Sequence, residues 1–285
     1  MAATILDGNW AASKVKEGLQ ERIIALGRRG VEVGLATVLV GDDAPSARYV
    51  AMKHADCAEL GIASFDHRLG ADVTMDELLE VLDTLNHDQR VHSYLVQLPL
   101  PAHLDQDRVL AAVNPAKDVD GLHPVNLGLL ALGEPQVLAC TPAGIVELLG
   151  LYSLDLTGKH VVIVGRGVTI GRPLALLLTL NRPGLNAAVT VVHSKVQALG
   201  DYIRTADVIV AAAGSPGIIT ADMVRPGAIV VGAGTTFEGR KLLSDVDDAV
   251  GEVAGYITPR IGGVGPMTRA MLLSNAVRAA EVTVG

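Results

Sequence analysis

Within Ser46-Ala-Arg-Tyr-Val-Ala-Met-Lys53, a hydroxyl, a phenol and an amine recur at i, i+3 and i+7. On a helix that spacing puts Ser46, Tyr49 and Lys53 on one face. Ala47, Val50, Ala51 and Met52 between them are small or apolar, as expected where a helix packs on a sheet. An amine there can act as general acid or base if desolvation or a nearby positive group brings its pKa towards neutrality. Tyr49 can orient that amine or stack on a planar substrate ring. Taken alone, a lysine on a helix face is more commonly a solvated charge.

Two more segments can complete a site. Gln97 ends the apolar run Tyr94-Leu-Val-Gln-Leu-Pro-Leu-Pro101, at a strand end where ligands of parallel sheets gather. Asp118 and Asp120 lie in Lys117-Asp-Val-Asp-Gly-Leu-His-Pro124, a loop able to present a carboxylate to a ring amide or amine. Each is alone a common turn or cap residue; with the polar stripe they form a pattern.

A second chemistry is written further along. Val161-Val-Ile-Val164 runs into Gly165-Arg-Gly-Val-Thr-Ile-Gly171, then Arg172-Pro173 and an apolar helix. Strand, glycine turn and helix are the context of a dinucleotide-binding loop. Gly165 permits the tight turn, Gly167 lets backbone approach a pyrophosphate, and the helix N-terminus offers unpaired N–H groups. The spacing, G-x-G-x-x-x-G, is one residue longer than the common fingerprint. An NAD site often has Asp or Glu at the end of the next strand, for the ribose 2′-hydroxyl. Here Val191-Val192 runs into His193-Ser194-Lys195. A hydroxyl with Arg166 and Lys195 suits a 2′-phosphate, so NADP is expected rather than NAD.

The Tyr49-x-x-x-Lys53 spacing also occurs in short-chain dehydrogenases. There the glycine loop precedes the pair; here it follows by more than a hundred residues, which excludes that reading.

Positioning these groups needs alternating strands and helices. The pattern predicts helices over 10–29, 45–60, 75–85 and 268–282, another after Thr141-Pro142, and a loop over 114–124. It predicts strands over 35–40, 94–98, 160–164, 189–192, 208–212 and 228–231, hence an α/β fold with parallel sheets. A chain of 285 residues, 49% hydrophobic, has room for two such domains. Two cysteines are too few for a disulfide framework or a zinc site, and no metal is expected. No signal peptide or membrane-length apolar run is visible, so a cytoplasmic protein is expected. The formal net charge of -8 argues against a general nucleic-acid binder.

Taken together, the chain resembles the bifunctional methylenetetrahydrofolate dehydrogenase/methenyltetrahydrofolate cyclohydrolase family over nearly its whole length. The resemblance rests on Ser46-x-x-Tyr49-x-x-x-Lys53, Val96-Gln-Leu-Pro-Leu-Pro101, Lys117-Asp-Val-Asp-Gly-Leu-His-Pro124, Cys140-Thr-Pro142, Gly165-Arg166 and Gly262-Gly-Val-Gly-Pro-Met-Thr268. It implies a folate-binding α/β catalytic domain (1–141 and 266–285) and a Rossmann-type, doubly wound NADP domain (142–265), with the last helix returning to the first. It also implies a homodimer and tetrahydrofolate substrates, while the net charge and the lack of a membrane-length apolar run leave no nucleic-acid or membrane partner expected.

By the same resemblance, Lys53, Gln97, Tyr49 and Asp120 form the catalytic set. Lys53 is the catalytic lysine, Gln97 tunes its protonation, Tyr49 stacks on the folate and Asp120 holds the pterin. Ser46, Gly262, Gly263 and Pro266 line the substrate, while Thr141, Gly165, Arg166, Gly167, Ser194 and Thr235 hold the cofactor. The family commonly has Ser where Gly167 stands, Asp where Gly232 stands and Val-Pro where Arg260-Ile261 stands. Two rivals remain at this point: an amino-acid-dehydrogenase-like oxidoreductase of another substrate, and a non-catalytic NADP-binding module.

Overall fold

The computed structural model describes residues 2–239 and 241–284. The chain runs β1 (Thr4–Ile5), α1 (Gly8–Arg28), β2 (Gly34–Val40), α2 (Ala44–Leu60), β3 (Ala63–Leu69), α3 (Met75–His87) and β4 (Ser93–Val96). Next come α4 (Gln106–Ala112), α5 (Pro124–Ala131), α6 (Cys140–Leu151), β5 (His160–Val164), α7 (Gly171–Leu178), β6 (Ala188–Val192) and α8 (Leu199–Ile203). It ends with β7 (Val208–Ala211), β8 (Ile229–Gly232), β9 (Thr235–Glu238), β10 (Lys241–Ser244), β11 (Tyr256–Ile257) and α9 (Val264–Val282). Among the described residues no helix is long and apolar enough to cross a membrane.

Residues divide into two compact units, 14–140 with 269–285, and 1–13 with 141–268. The first holds a parallel sheet ordered β3-β2-β4. Every residue of β2 is buried, because this central strand is covered on both faces. Leu35 joins Cys57, Leu60, Leu95 and Leu273 on one side; Ala36, Val38 and Val40 join Leu78, Leu82 and Val96 on the other. Alternation along β2 thus seats α2 and α9 on one face and α3 on the opposite one.

The second unit holds a parallel six-stranded sheet, β1-β11-β8-β7-β5-β6, and a β9–β10 hairpin. The chain leaves β5 for β6 on one side, then passes back to β7 on the other. Ligands of open parallel sheets bind at such a switch point, outside the strand C-termini. Residues 1–13 were expected with the first unit. They lie with the second because β1 adds to β11 as a parallel edge strand, with Leu6 N–H donating to Ile257 C=O at 2.8 Å.

Several elements differ from the sequence pattern. Residues 114–124 are not wholly irregular: Asp118 pairs with Tyr94 in a short parallel bridge, and α5 opens at Pro124 with His123 as its cap. β4 ends at Val96, yet Gln97 N–H still donates to Val38 C=O at 2.8 Å, so Gln97 starts from the last rung of the ladder. α9 begins at Val264 rather than 268, which puts Pro266 in its first turn, where proline is tolerated. α6 begins at Cys140 rather than after Pro142, so Thr141 and Pro142 lie inside its first turn.

Candidate functional site

In the first unit α2 carries the polar stripe. Asp43 caps this helix, accepting from the Ser46 N–H at 2.9 Å and the Ser46 hydroxyl at 2.6 Å. Ser46 is thereby engaged in starting the helix that presents Tyr49 and Lys53. Gly61, in the left-handed region at φ 71, ends it.

Lys53 is 3% exposed, a burial that costs an ammonium its water unless polar partners replace it. Its Nζ donates to Gln97 Oε1 at 3.1 Å and lies 4.9 Å from the centroid of the Tyr49 ring. Gln97 Nε2 donates to Leu98 C=O at 2.8 Å, which fixes the amide with its oxygen towards the lysine. Burial and the negative charge of Asp120 push the Tyr49 phenol well above its ordinary pKa, so it stays protonated.

The two aspartates of residues 117–121 take different parts. Asp118 is buried and accepts from Gly121 N–H, His123 N–H and Asn126 Nδ2 at 3.0, 2.8 and 2.9 Å. Its carboxylate is engaged in folding the loop. Asp120 has no donor to its carboxylate among the described residues, so its oxygens are available to a ligand. Burial raises the Asp120 pKa above the ordinary carboxylate value, the Lys53 charge pulls it back, and Asp118 adds to the rise.

This loop is braced from behind. Cys140 N–H donates to Asp120 C=O at 3.2 Å, and Asn275 Nδ2 donates to Val119 C=O and Leu138 C=O at 2.9 and 3.0 Å. Gly121 has φ 71, and a Cβ there would lie 2.4 Å from the Leu138 carbonyl carbon. Only glycine makes that turn. Burial pushes the Cys57 thiol up to about 12 and raises that of Cys140 well above its ordinary value, so neither is a reactive nucleophile.

In the second unit Gly165 ends β5 with φ 133, and a Cβ there would lie 2.1 Å from the Ala212 carbonyl oxygen beyond β7. A Cβ on Gly171 would lie 2.2 Å from the Gly165 carbonyl oxygen, so the start of α7 is pressed against the turn. These contacts form a glycine cradle at the switch point, with the open end of α7 beside it; the residues fit a bound dinucleotide. Gly167 differs: its Cβ position meets nothing nearer than Thr169 Oγ1 at 4.0 Å. Register pairs Val164 with Val192, so Arg166 and Ser194 each stand two residues beyond neighbouring strand ends. Both are exposed, as is Lys195, and no carboxylate follows β6. Thr235 opens β9 and is exposed, while Thr141 Oγ1 pairs with Thr268 Oγ1 at 3.0 Å.

The Gly262–Gly263 turn is closely packed. Gly262 has φ 81, with its Cβ position 2.4 Å from Asn9 Nδ2, and that of Gly263 is 2.4 Å from the Pro259 carbonyl oxygen. Arg260 pairs with Asp248 beside this turn, and Ile261 is largely exposed.

One buried group had no signal in the sequence. Asp245 is fully buried and accepts from three successive backbone N–H groups, of Ala213, Gly214 and Ser215, at 2.6, 2.9 and 2.7 Å. Nothing in Ser244-Asp-Val-Asp247 tells the buried aspartate from an exposed turn residue.

Comparison with known proteins agrees with both halves of this geometry. Residues 6–120 match the family model for the tetrahydrofolate dehydrogenase/cyclohydrolase catalytic domain, and residues 139–284 match that for its NAD(P)-binding domain. The chain is 53% identical over 281 residues to the bifunctional protein FolD of Syntrophotalea carbinolica, covering 99% of this chain and 97% of that protein. The bifunctional FolD of Campylobacter jejuni is 45% identical with a TM-score of 0.95, over 99% of this chain and 100% of that one. The Trypanosoma brucei methylenetetrahydrofolate dehydrogenase-cyclohydrolase, solved with NADP and an inhibitor, is 36% identical with a TM-score of 0.93, over 100% and 99%. With a folate catalytic domain and an NAD(P)-binding domain matched in sequence and in fold, the chain belongs to the tetrahydrofolate dehydrogenase/cyclohydrolase family.

Proposed function

We propose that this protein oxidises 5,10-methylenetetrahydrofolate to the 5,10-methenyl form with NADP and then hydrolyses that product to 10-formyltetrahydrofolate. The observation that carries the reading is a buried lysine, Lys53, held by the Gln97 amide beside the Tyr49 ring and within the field of Asp120. A buried amine with a neutral partner can exchange protons, where one locked to a carboxylate would not.

When bound, NADP supplies the hydride acceptor. In the oxidation the chain supplies orientation: Tyr49 stacks on the folate ring system, and Asp120 accepts from the N–H groups of the pterin. The folate nitrogens carry the positive charge left on the one-carbon unit. In the hydrolysis, water adds to the methenyl carbon and gives up both its protons, one to the ring nitrogen that leaves as the bridge opens and one, net, to solvent. Lys53 Nζ manages those transfers, with its position set by Gln97 Oε1.

Arg166 and Ser194 bind the 2′-phosphate, and α7 with the Gly165–Gly167 turn takes the pyrophosphate. Thr141 and Thr235 complete the cofactor set; Ser46, Gly262, Gly263 and Pro266 complete the folate set. The cytoplasmic location expected from the sequence and the homodimer implied by the family resemblance belong to the same reading.

The test is an assay of the purified chain with 5,10-methylenetetrahydrofolate and each nicotinamide, following reduced cofactor and methenyl absorbance. Turnover with NADP is expected, with a lower KM than for NAD. A tenfold preference for NAD would overturn the cofactor choice, and no turnover with either would overturn the reading.

A further inference from the structure

The Asp245 carboxylate lies behind the crevice at the sheet's switch point, in a place the proposed chemistry leaves without a role. Its Oδ2 accepts from Ala213 and Gly214 N–H and its Oδ1 from Ser215 N–H. Its own N–H donates to Gly234 C=O at 3.1 Å, and its C=O accepts from Ile219 N–H at 3.0 Å. One residue thereby ties the segment after β7, from Ala213 to Ile219, to Gly234 after β8 and to the end of the β9–β10 hairpin. Gly234 is shaped around it: a Cβ there would lie 1.9 Å from Asp245 Oδ2. Ala233 and Gly234 N–H both donate to Ala211 C=O at 2.8 Å, closing the same knot.

A carboxylate removed from water is expensive, and three charge-assisted N–H bonds are the compensation that makes it tolerable. An uncharged turn would have held residues 213–215 without that cost. What the charge adds is direction: three successive N–H groups are drawn inward and are unavailable to any ligand phosphate. The segment they belong to begins at Ala212, whose carbonyl oxygen is the atom pressed against Gly165.

We propose that Asp245 is a positioning residue for dinucleotide binding: its carboxylate sets residues 213–215 as one wall of the crevice beside Gly165. Because the donors of this wall face inward, it serves the hydroxyl and amide N–H groups of the cofactor. The pyrophosphate is left to the Gly165–Gly167 turn and the start of α7. This inference rests on the NADP reading, and its test separates the two.

Asp207 provides a matched control at the opposite end of the same sheet. It accepts from His160 N–H at 2.8 Å and pairs with Arg225, before β7 begins. NADP affinity is measured by calorimetry on the full chain and on D245N and D207N. Methenyl hydrolysis, which consumes no nicotinamide, and thermal unfolding are followed alongside. D245N should raise the NADP Kd at least tenfold while hydrolysis stays within twofold of the parent. D207N should lower Tm yet leave Kd within twofold.

Parental affinity in D245N, or equal weakening in D207N, overturns the inference and makes Asp245 a scaffold residue only. If D245N does not fold, G234A reads the same contact by displacing the carboxylate rather than removing it. A folded G234A with parental affinity overturns the inference equally. A parent chain that binds no NADP overturns the cofactor reading and this inference with it, whereas a parent that binds as tightly as D245N does overturns this inference alone.

Discussion

Lys53 Nζ and Gln97 Oε1 meet at 3.1 Å, and the Gln97 amide can present only its oxygen, because its nitrogen is engaged by Leu98 C=O. The relationship joins a buried lysine on α2 to the last rung of β4. Replacing Lys53 by Met keeps length and apolar bulk but removes the proton carrier. K53M should cut methenyl hydrolysis at least ~100-fold, the lower end of what a positioned acid or base contributes. Stopped-flow decay of the methenyl chromophore is the measurement, and a parental rate would take Lys53 out of the chemistry.

The neutral partner should matter as much as the lysine. Q97E places a carboxylate where the amide oxygen stands and would lock the ammonium in an ion pair. Hydrolysis by Q97E should fall at least ~10-fold, because the amine is then held by a charge instead of a neutral oxygen. A Q97E rate equal to the parent's would mean that the neutral partner is not what the lysine needs.

Asp120 links the site to stability. Its carboxyl is raised in the folded chain, chiefly by burial, above the ordinary value of about 3.9 that it has unfolded. The folded state therefore binds the proton more tightly. Its stability falls as pH rises from that ordinary value through the folded one, and the penalty is complete above it. D120N carries no such penalty, so its Tm should gain on the parent's between acid and neutral pH. Losing the charged acceptor for the pterin should meanwhile lower kcat/KM for the folate by about 10- to 100-fold. A Tm difference that does not vary with pH would refute the burial argument.

How much of this was legible depended on whether local pattern or distant contact decided the outcome. The helix under Tyr49 and Lys53 was readable because its apolar spacing and its start at Pro45 lie within one element. β5 and its glycine turn were readable for the same reason. The β3 strand alternates half-buried and exposed residues at a sheet edge, and its Asp66, His67 and Arg68 masked the period. β1 and β11 are two residues each and exist only because they pair with one another and with β8. The division of labour between Asp118 and Asp120 was closed to the sequence. Which carboxylate folds the loop is settled by Gly121, His123 and Asn126 around it, and which faces a ligand follows from that. Asp245 was hidden too, since its burial depends on segments from 211 to 234.

The glycines of the phosphate turn should respond in opposite ways. At Gly165 an added methyl would lie 2.1 Å from the Ala212 carbonyl oxygen, with a φ of 133 that L-residues rarely adopt. G165A must therefore move either the turn or the wall beside it, and should abolish measurable NADP binding while leaving methenyl hydrolysis within twofold. At Gly167 the Cβ position is open, and a serine hydroxyl there adds a donor next to the start of α7, where anions are favoured. One hydrogen bond to a charged group is worth about 1.5–3 kcal/mol at best. Exposure at the turn reduces this, so a gain of a few-fold in NADP affinity is expected for G167S. Side-by-side titrations of the parent, G165A and G167S decide the matter. A G167S that binds NADP more weakly than the parent would show that the ligand approaches the Gly167 backbone closely, and that the glycine, rather than a missing hydroxyl, is what this turn requires.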